Sequence, residues 1–181
     1  KKLPELFEIA LGGSKDDKLK YAIEKLGKDI TVKDVFREGQ QLDIHAVTKG
    51  HGTQGPMKRF GISKRSHRSE KSIRNPGSLG GWKAQGKTMW RVAHAGKMGY
   101  LTRTEYNKWL VKIGDKPEDV KLNGGVIHYG VVKNPYILIK GSIGGASKRL
   151  VRLNDAIRAN HKIPKNAPQI QYVSVDSKQG V

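Results

Sequence analysis

Val126-Ile127-His128-Tyr129-Gly130-Val131-Val132, then Lys133-Asn134-Pro135, then Tyr136-Ile137-Leu138-Ile139-Lys140-Gly141-Ser142-Ile143 is the stretch from which a fold class can be read. Both runs are rich in β-branched and aromatic side chains, which suit a pleated, half-buried surface, and the Asn-Pro step between them is a turn signal. Strands are predicted over 126–132 and 136–143. Working outward, 150–153 and 169–175 suit two further short strands. The stretch 104–113 is ambiguous, because Thr104 suits a helix cap while Trp109-Leu110-Val111-Lys112-Ile113 suits a strand; the strand reading is adopted. Upstream, residues 42–48 alternate Leu, Ile and Ala-Val with polar residues. The class is mainly β: a small antiparallel barrel or sheet with strands at 42–48 and 104–175, closed by a tail at 176–181.

Residues 1–41 read as a helical appendage. Ser14 is an N-cap with Asp17 three residues on, and Leu19, Ala22, Ile23 and Leu26 succeed it at helical spacing. Gly27 then stands where a left-handed stop is needed. Thr31 to Phe36 repeats the start signal on a smaller scale, with Asp34 at N3.

Between appendage and strands lies a different material. The chain of 181 residues carries 35 Lys and Arg against 16 Asp and Glu, a net charge of +19, and its pI is about 10.1. Residues 1–43 are neutral overall, residues 104–181 hold +7, and residues 44–103 hold +12 with Glu70 as their only acid. The same middle stretch contains ten glycines and no clear apolar period from Gly50 to Trp90. Such a composition cannot bury enough surface to offset backbone entropy alone. It reads as a long extended loop over 49–103, ordered by a polyanion, with nucleic acid ahead of a membrane surface. The absence of cysteine excludes disulfides, thiolate metal sites and cysteine nucleophiles. No apolar run approaches the ~18 residues of a membrane span. Lys1-Lys2-Leu3-Pro4 lacks both an initiator Met and a signal-peptide core, and the chain reads as part of a longer protein.

Phosphates need Lys and Arg, close backbone approach needs Gly, and unpaired bases need flat faces to stack on. All three are interleaved in 49–103. The candidate RNA-binding residues are Lys49, His51, Lys58, Arg59, Lys64, Arg65, His67, Arg68, Lys71, Arg74, Trp82, Lys83, Lys87, Arg91, Lys97 and Arg103. A solvated basic linker is the bland alternative, and bulky Trp82 and Trp90 argue against it.

Two nucleotide motifs occur in the same stretch. Gly50-His51-Gly52-Thr53-Gln54-Gly55 fits the dinucleotide pattern G-x-G-x-x-G, but Gly61 comes too soon for the helix that pattern requires. Gly81-Trp82-Lys83-Ala84-Gln85-Gly86-Lys87-Thr88 fits the P-loop pattern. Its flanks, Asn75-Pro76-Gly77-Ser78-Leu79-Gly80 and Met89-Trp90-Arg91-Val92, suit neither a buried strand nor a helix. The six histidines show no i, i+4 pair, so neither a metal site nor a catalytic residue is assigned, and no cofactor or small-molecule substrate is expected. A P-loop nucleotide hydrolase is the alternative reading and a generic basic binding module the third.

Phe36 and Asp43, then Ala46-Val47-Thr48-Lys49-Gly50-His51-Gly52-Thr53-Gln54-Gly55 and Lys58-Arg59, form the first of several ordered blocks. Next come Asn75-Pro76-Gly77-Ser78-Leu79-Gly80 with Trp82, Gly96-Lys97-Met98-Gly99-Tyr100 and Arg103-Thr104-Glu105-Tyr106-Asn107-Lys108. His128-Tyr129-Gly130, Lys140-Gly141-Ser142-Ile143, Lys148-Arg149-Leu150 and Ser177-Lys178-Gln179-Gly180-Val181 complete them. In that order they resemble the C-terminal part of the large-subunit ribosomal protein three family, of archaeal and eukaryotic type. The resemblance implies an elongation-factor-like β-barrel on the subunit surface and a basic loop threading ribosomal RNA toward the peptidyl transferase centre. It also implies a structural, non-enzymatic role in translation and subunit assembly, in the cytoplasmic ribosome. The partners it implies are large-subunit ribosomal RNA and neighbouring ribosomal proteins, with no membrane. Trp82 matches the family's loop-tip tryptophan, and His67 falls where eukaryotic members carry a modified histidine. Ala84 stands where relatives usually have Pro, and Phe60 where they often have Trp.

Overall fold

The helix over Lys15–Lys25 and the short helix over Pro56–Phe60 both stop before a left-handed glycine, Gly27 and Gly61. The computed structural model describes residues 4–69, 71–81, 86 and 88–177. In chain order the elements are α1 (Lys15–Lys25), α2 (Val32–Val35), β1 (Gln41–Val47), β2 (Thr53–Gln54) and α3 (Pro56–Phe60). They continue with β3 (Gly96–Lys97), β4 (Thr102–Gly114), a 3-10 turn (Pro117–Val120), β5 (Tyr136–Ile139) and β6 (Val151–Asp155). Two units result, one built from residues up to Ala46 and from Arg103 onward, the other from Val47–Thr102.

The helical start forms as its caps foretell. Ser14 caps α1 by accepting the Asp17 N–H, and Gly27 lies just beyond it at φ +73°. Thr31 and Asp34 form a reciprocal capping box on α2. Leu19 and Ile23 of α1 and its C-cap Leu26 are exposed. A helix of this length gains little from propensity alone and depends on packing for most of its stability.

In the first unit the strands form one four-stranded sheet in the order β5-β4-β1-β6. β1 and β6 run antiparallel with Ile44 opposite Leu153, and β4 and β5 run antiparallel with Leu110 opposite Ile139. Gly39 donates its N–H to Leu110 O at 2.8 Å and Leu110 returns a bond to Gln40 O at 2.9 Å, which fixes β4 beside the start of β1. Leu42, Ile44 and Ala46 alternate along β1, and with Leu110 they are the buried apolar residues among those described. The mainly β, antiparallel class is therefore observed, as an open sheet without barrel closure among the described residues.

The ambiguous stretch 104–113 is strand, inside the 13-residue β4. Two expected strands are corrected. Residues 126–132 form a tight turn instead: Val126 bridges Gly130, with Gly125 at φ +81°, His128 at +59° and Gly130 at +102°. Left-handed positions so closely spaced curl the chain and cancel the strand preference of Val126, Ile127 and Val131. Residues 169–175 likewise belong to no ladder; Pro164 and Pro168 precede them, and prolines remove the donors a ladder needs. The strand foreseen over 136–143 ends at Ile139, just before Gly141 at φ +87°.

The core is small for the chain. The surface is 14979 Å², against about 8,700 Å² for a typical folded monomer of this mass. Leu6, Ile9, Val35, Ile157 and Tyr172 are among the exposed apolar side chains.

Candidate nucleic-acid interface

The second unit is closed at its base by two antiparallel segments. Thr48 donates its N–H to Leu101 O at 3.0 Å, His51 to Met98 O at 2.9 Å, and Met98 to Gly52 O at 3.0 Å. Thr53 then faces Lys97 and Gln54 faces Gly96 in the β2–β3 ladder. The approach is so tight at Gly99 (φ +73°) that a Cβ there would lie 2.0 Å from Lys49 O. No other residue type fits, for reasons of both space and handedness.

Pro56 opens α3 at N1 and Gly61, at φ +71°, ends it after five residues. This helix comes directly after the G-x-G-x-x-G motif and is too short to present a pyrophosphate site, while Thr53 and Gln54 of the motif are in strand. The P-loop match falls largely on residues outside those described, including Trp82, Lys83 and Lys87. Beyond it, Met89 to Val92 close a turn through Val92 N–H to Met89 O at 3.1 Å, where a phosphate cradle requires a helix.

The basic residues divide by role. Arg59 is half-buried; its Nε donates to Lys97 O at 3.2 Å and its Nη1 to His94 O at 2.9 Å. Arg65, also half-buried, donates from Nη2 to Pro76 O at 2.6 Å and to Gly77 O at 3.2 Å. Their guanidinium groups tie distant backbone together, because a planar fork satisfies several carbonyls at once. By contrast Lys49, His51, Lys58, Lys64, His67, Arg68, Lys71, Arg74, Arg91 and Lys97 are exposed, as is Arg103 of the other unit. The only acid the second unit contains is Glu70. Among the described residues the ion pairs Lys33–Asp115, Lys108–Glu105 and Lys112–Asp119 belong to the other unit. The second unit thus presents cations far in excess of acid on a frame held by arginine.

Flat surfaces accompany them. Trp90 is 87% exposed, and the Arg91 guanidinium lies 5.8 Å from its ring centroid. Phe60 and Tyr100 are exposed too, with Arg59 4.9 Å from the Phe60 ring. Trp90, Phe60 and Tyr100 are absent from the sequence-derived candidates, although their interleaving with Lys, Arg and Gly is the signal that marks them. Among the described residues no group of His, Asp and Glu is arranged to hold a metal, and no helix is long and apolar enough to cross a membrane.

The scaffold unit holds its own electrostatic links. Lys112 Nζ donates to Asp119 at 3.1 Å and Tyr136 O–H donates to the same oxygen at 3.4 Å. The Lys112 bond holds the Asp119 carboxyl below its usual range and raises the lysine. Asp34 is lowered by the backbone N–H and hydroxyl of Thr31 in the α2 cap.

Comparison with known proteins adds an independent line. Residues 1–180 match the family described as ribosomal protein L3. The chain is similar to the large ribosomal subunit protein uL3 of Methanosphaera stadtmanae, 53% identical over 186 residues that cover 100% of this chain and 55% of that protein. The counterpart from Methanothermobacter thermautotrophicus is 52% identical with the same coverage. That of Archaeoglobus fulgidus is 46% identical over 182 residues, covering 99% of this chain and 54% of the relative. The chain spans about half the length of the curated relatives it matches.

Proposed function

The chain belongs to the ribosomal protein L3 family, and from that premise we propose that it is a structural, non-enzymatic constituent of the large ribosomal subunit in the cytoplasm. It binds large-subunit ribosomal RNA through the unit at 47–102 and contributes to subunit assembly and translation. The observation that carries this reading is the division of labour among its arginines and lysines. Arg59 and Arg65 brace the backbone, while the unit's other described lysines and arginines are exposed and Glu70 is the only acid in its sequence. A polyanion neutralises such a surface, and RNA offers both phosphates and bases for Trp90 and its neighbours.

The finer picture extends the same reading. The basic segment 49–103 is a loop directed toward the peptidyl transferase centre, and the open sheet is part of a closed elongation-factor-like barrel. Surface well above that of a folded monomer, with exposed Leu19 and Ile23 on α1 and Leu26 at its C-cap, supports apolar contact with neighbouring polypeptide as well as RNA. The test is co-sedimentation: the tagged chain should travel with large subunits and remain bound through a moderate salt wash. Quantitative release into the supernatant at that step would overturn the assignment.

A further inference from the structure

Residues 156–175 carry Arg158, His161, Lys162 and Lys165 and no acid between Asp155 and Asp176. This arm belongs to neither helix nor sheet, yet it is pinned along the first unit. Ile157 donates its N–H to Asp43 Oδ2 at 3.1 Å. Three residues on, the Gln41 side chain pairs with the Asn160 backbone in both directions, donating to its O at 2.9 Å and accepting from its N–H at 2.8 Å. Farther still, the backbone at 165–167 passes so close to Gly39 that a Cβ there would meet Ala167 N at 2.6 Å and Lys165 O at 2.7 Å. While the backbone is fixed, Arg158, His161, Lys162 and Lys165 all stay exposed.

Between this arm and the start of β1 lies a cavity of about 750 Å³, with Val35, Arg37, Gln40, Asp155, His161 and Lys165 in its wall. That volume falls within the usual range for small-ligand sites. Its wall mixes apolar side chains, amide and carboxylate groups, the Arg37 guanidinium and the flat imidazole ring of His161. Single-stranded RNA is read by this combination: cations on the phosphates, a planar group on the base face and polar groups on its edge.

We propose that the arm at 156–165 is a second RNA-binding surface, separate from 49–103, which holds a short single-stranded segment with one unstacked base in the cavity beside His161. It rests on the ribosomal reading above and adds to it a site in the other unit. Fixed backbone under exposed cations lowers the ordering cost of binding, which a flexible basic tail would have to meet in full.

The experiment uses the full chain and large-subunit ribosomal RNA. Ultraviolet cross-linking of the wild type should place cross-links both in 49–103 and in 156–165. The triple variant Arg158→Gln/Lys162→Gln/Lys165→Gln should lower the log–log salt slope of binding by about 2, at ~0.7 per single-strand phosphate contact. His161→Ala should weaken binding between about fivefold and about 150-fold, the range of one base-stacking contact, with the slope kept. Cross-links confined to 49–103, with an unchanged slope in the triple variant, would refute the arm and leave the ribosomal reading standing. A wild type with no salt-dependent RNA binding would refute both.

Discussion

The Asp43 carboxylate accepts the backbone N–H of Asn107, Oδ1 to N at 3.0 Å, at the one point where β4 turns left-handed, φ +56°. Asp43 is 1% exposed, and its other oxygen takes the Ile157 N–H. One buried side chain therefore joins the central strand, the irregularity in its neighbour and the segment leaving β6. A buried acidic group is tolerated when donors surround it, and backbone amides provide that here.

Asp43→Ala should accordingly be among the most damaging single changes in the scaffold. It strands two N–H groups, each costing about 1–3 kcal/mol when left without an acceptor. Asp43→Asn keeps one acceptor and should cost about half as much. Denaturant midpoints at constant slope would measure both. Equal stability of Asp43→Ala and wild type would mean that water or neighbouring groups replace the carboxylate.

Adjacent residues of α3 should separate bracing from binding. Arg59→Ala removes the bonds to Lys97 O and His94 O, so amide exchange should quicken at Met98 and Tyr100, and RNA affinity should fall at every salt concentration. Lys58→Ala removes an exposed charge; exchange should stay unchanged while the salt slope drops by ~0.7–0.9. Identical behaviour of the two variants would remove the distinction between frame and contact.

Acid should loosen α2 and the 3-10 turn. Asp34 and Asp119 titrate below their usual value because Thr31 and Lys112 bind their charged forms. A lowered folded-state pKa gives stability that is present above the unfolded value and lost as pH falls through the folded one. Local fraying at both places should therefore begin below pH 3.8, the ordinary aspartate value. Lys112 is raised, so its share is present below its ordinary value and lost as pH climbs past the raised one. Asp34→Asn should abolish the acid step at α2, as tracked by amide chemical shifts. Retention of that step in the variant would assign it to another group.

What the sequence discloses here depends on how far each interaction reaches. The caps at Ser14 and Thr31 act over three residues and can be read directly. Strand β1 is legible because Leu42, Ile44 and Ala46 alternate on a buried face. The run 126–132 misleads because its side-chain preference is plain while the left-handed demands of Gly125, His128 and Gly130 are not. The Asp43 partners are Asn107 and Ile157, 64 and 114 positions away, and no local pattern announces them. For the same reason composition places Arg59 and Arg65 among the RNA contacts beside Lys58 and Lys64. Only the distant carbonyls reveal that these two are tied to backbone.

Trp90 supplies the last test. Fully burying a tryptophan removes some 150–250 Å² from water, worth roughly 4–6 kcal/mol at 25 cal/mol per Å². Here 87% of it is left exposed, with the Arg91 guanidinium alongside. A stacking platform for an unpaired base accounts for both features, since a base supplies the missing apolar face and its phosphate the missing counter-charge. Stacking carries no net charge, whereas a phosphate contact releases counterions. Trp90→Ala should therefore weaken RNA binding by ~1–3 kcal/mol with the salt slope intact. Arg91→Ala should lower the slope by ~0.7 with a smaller loss at high salt, and Trp90→Phe should restore part of the affinity. Parallel binding isotherms at several salt concentrations distinguish these outcomes. A loss on Trp90→Ala that scales with salt would indicate that the ring merely positions Arg91, and the base would then have to stack elsewhere, with Phe60 and Tyr100 as the next exposed rings in the unit.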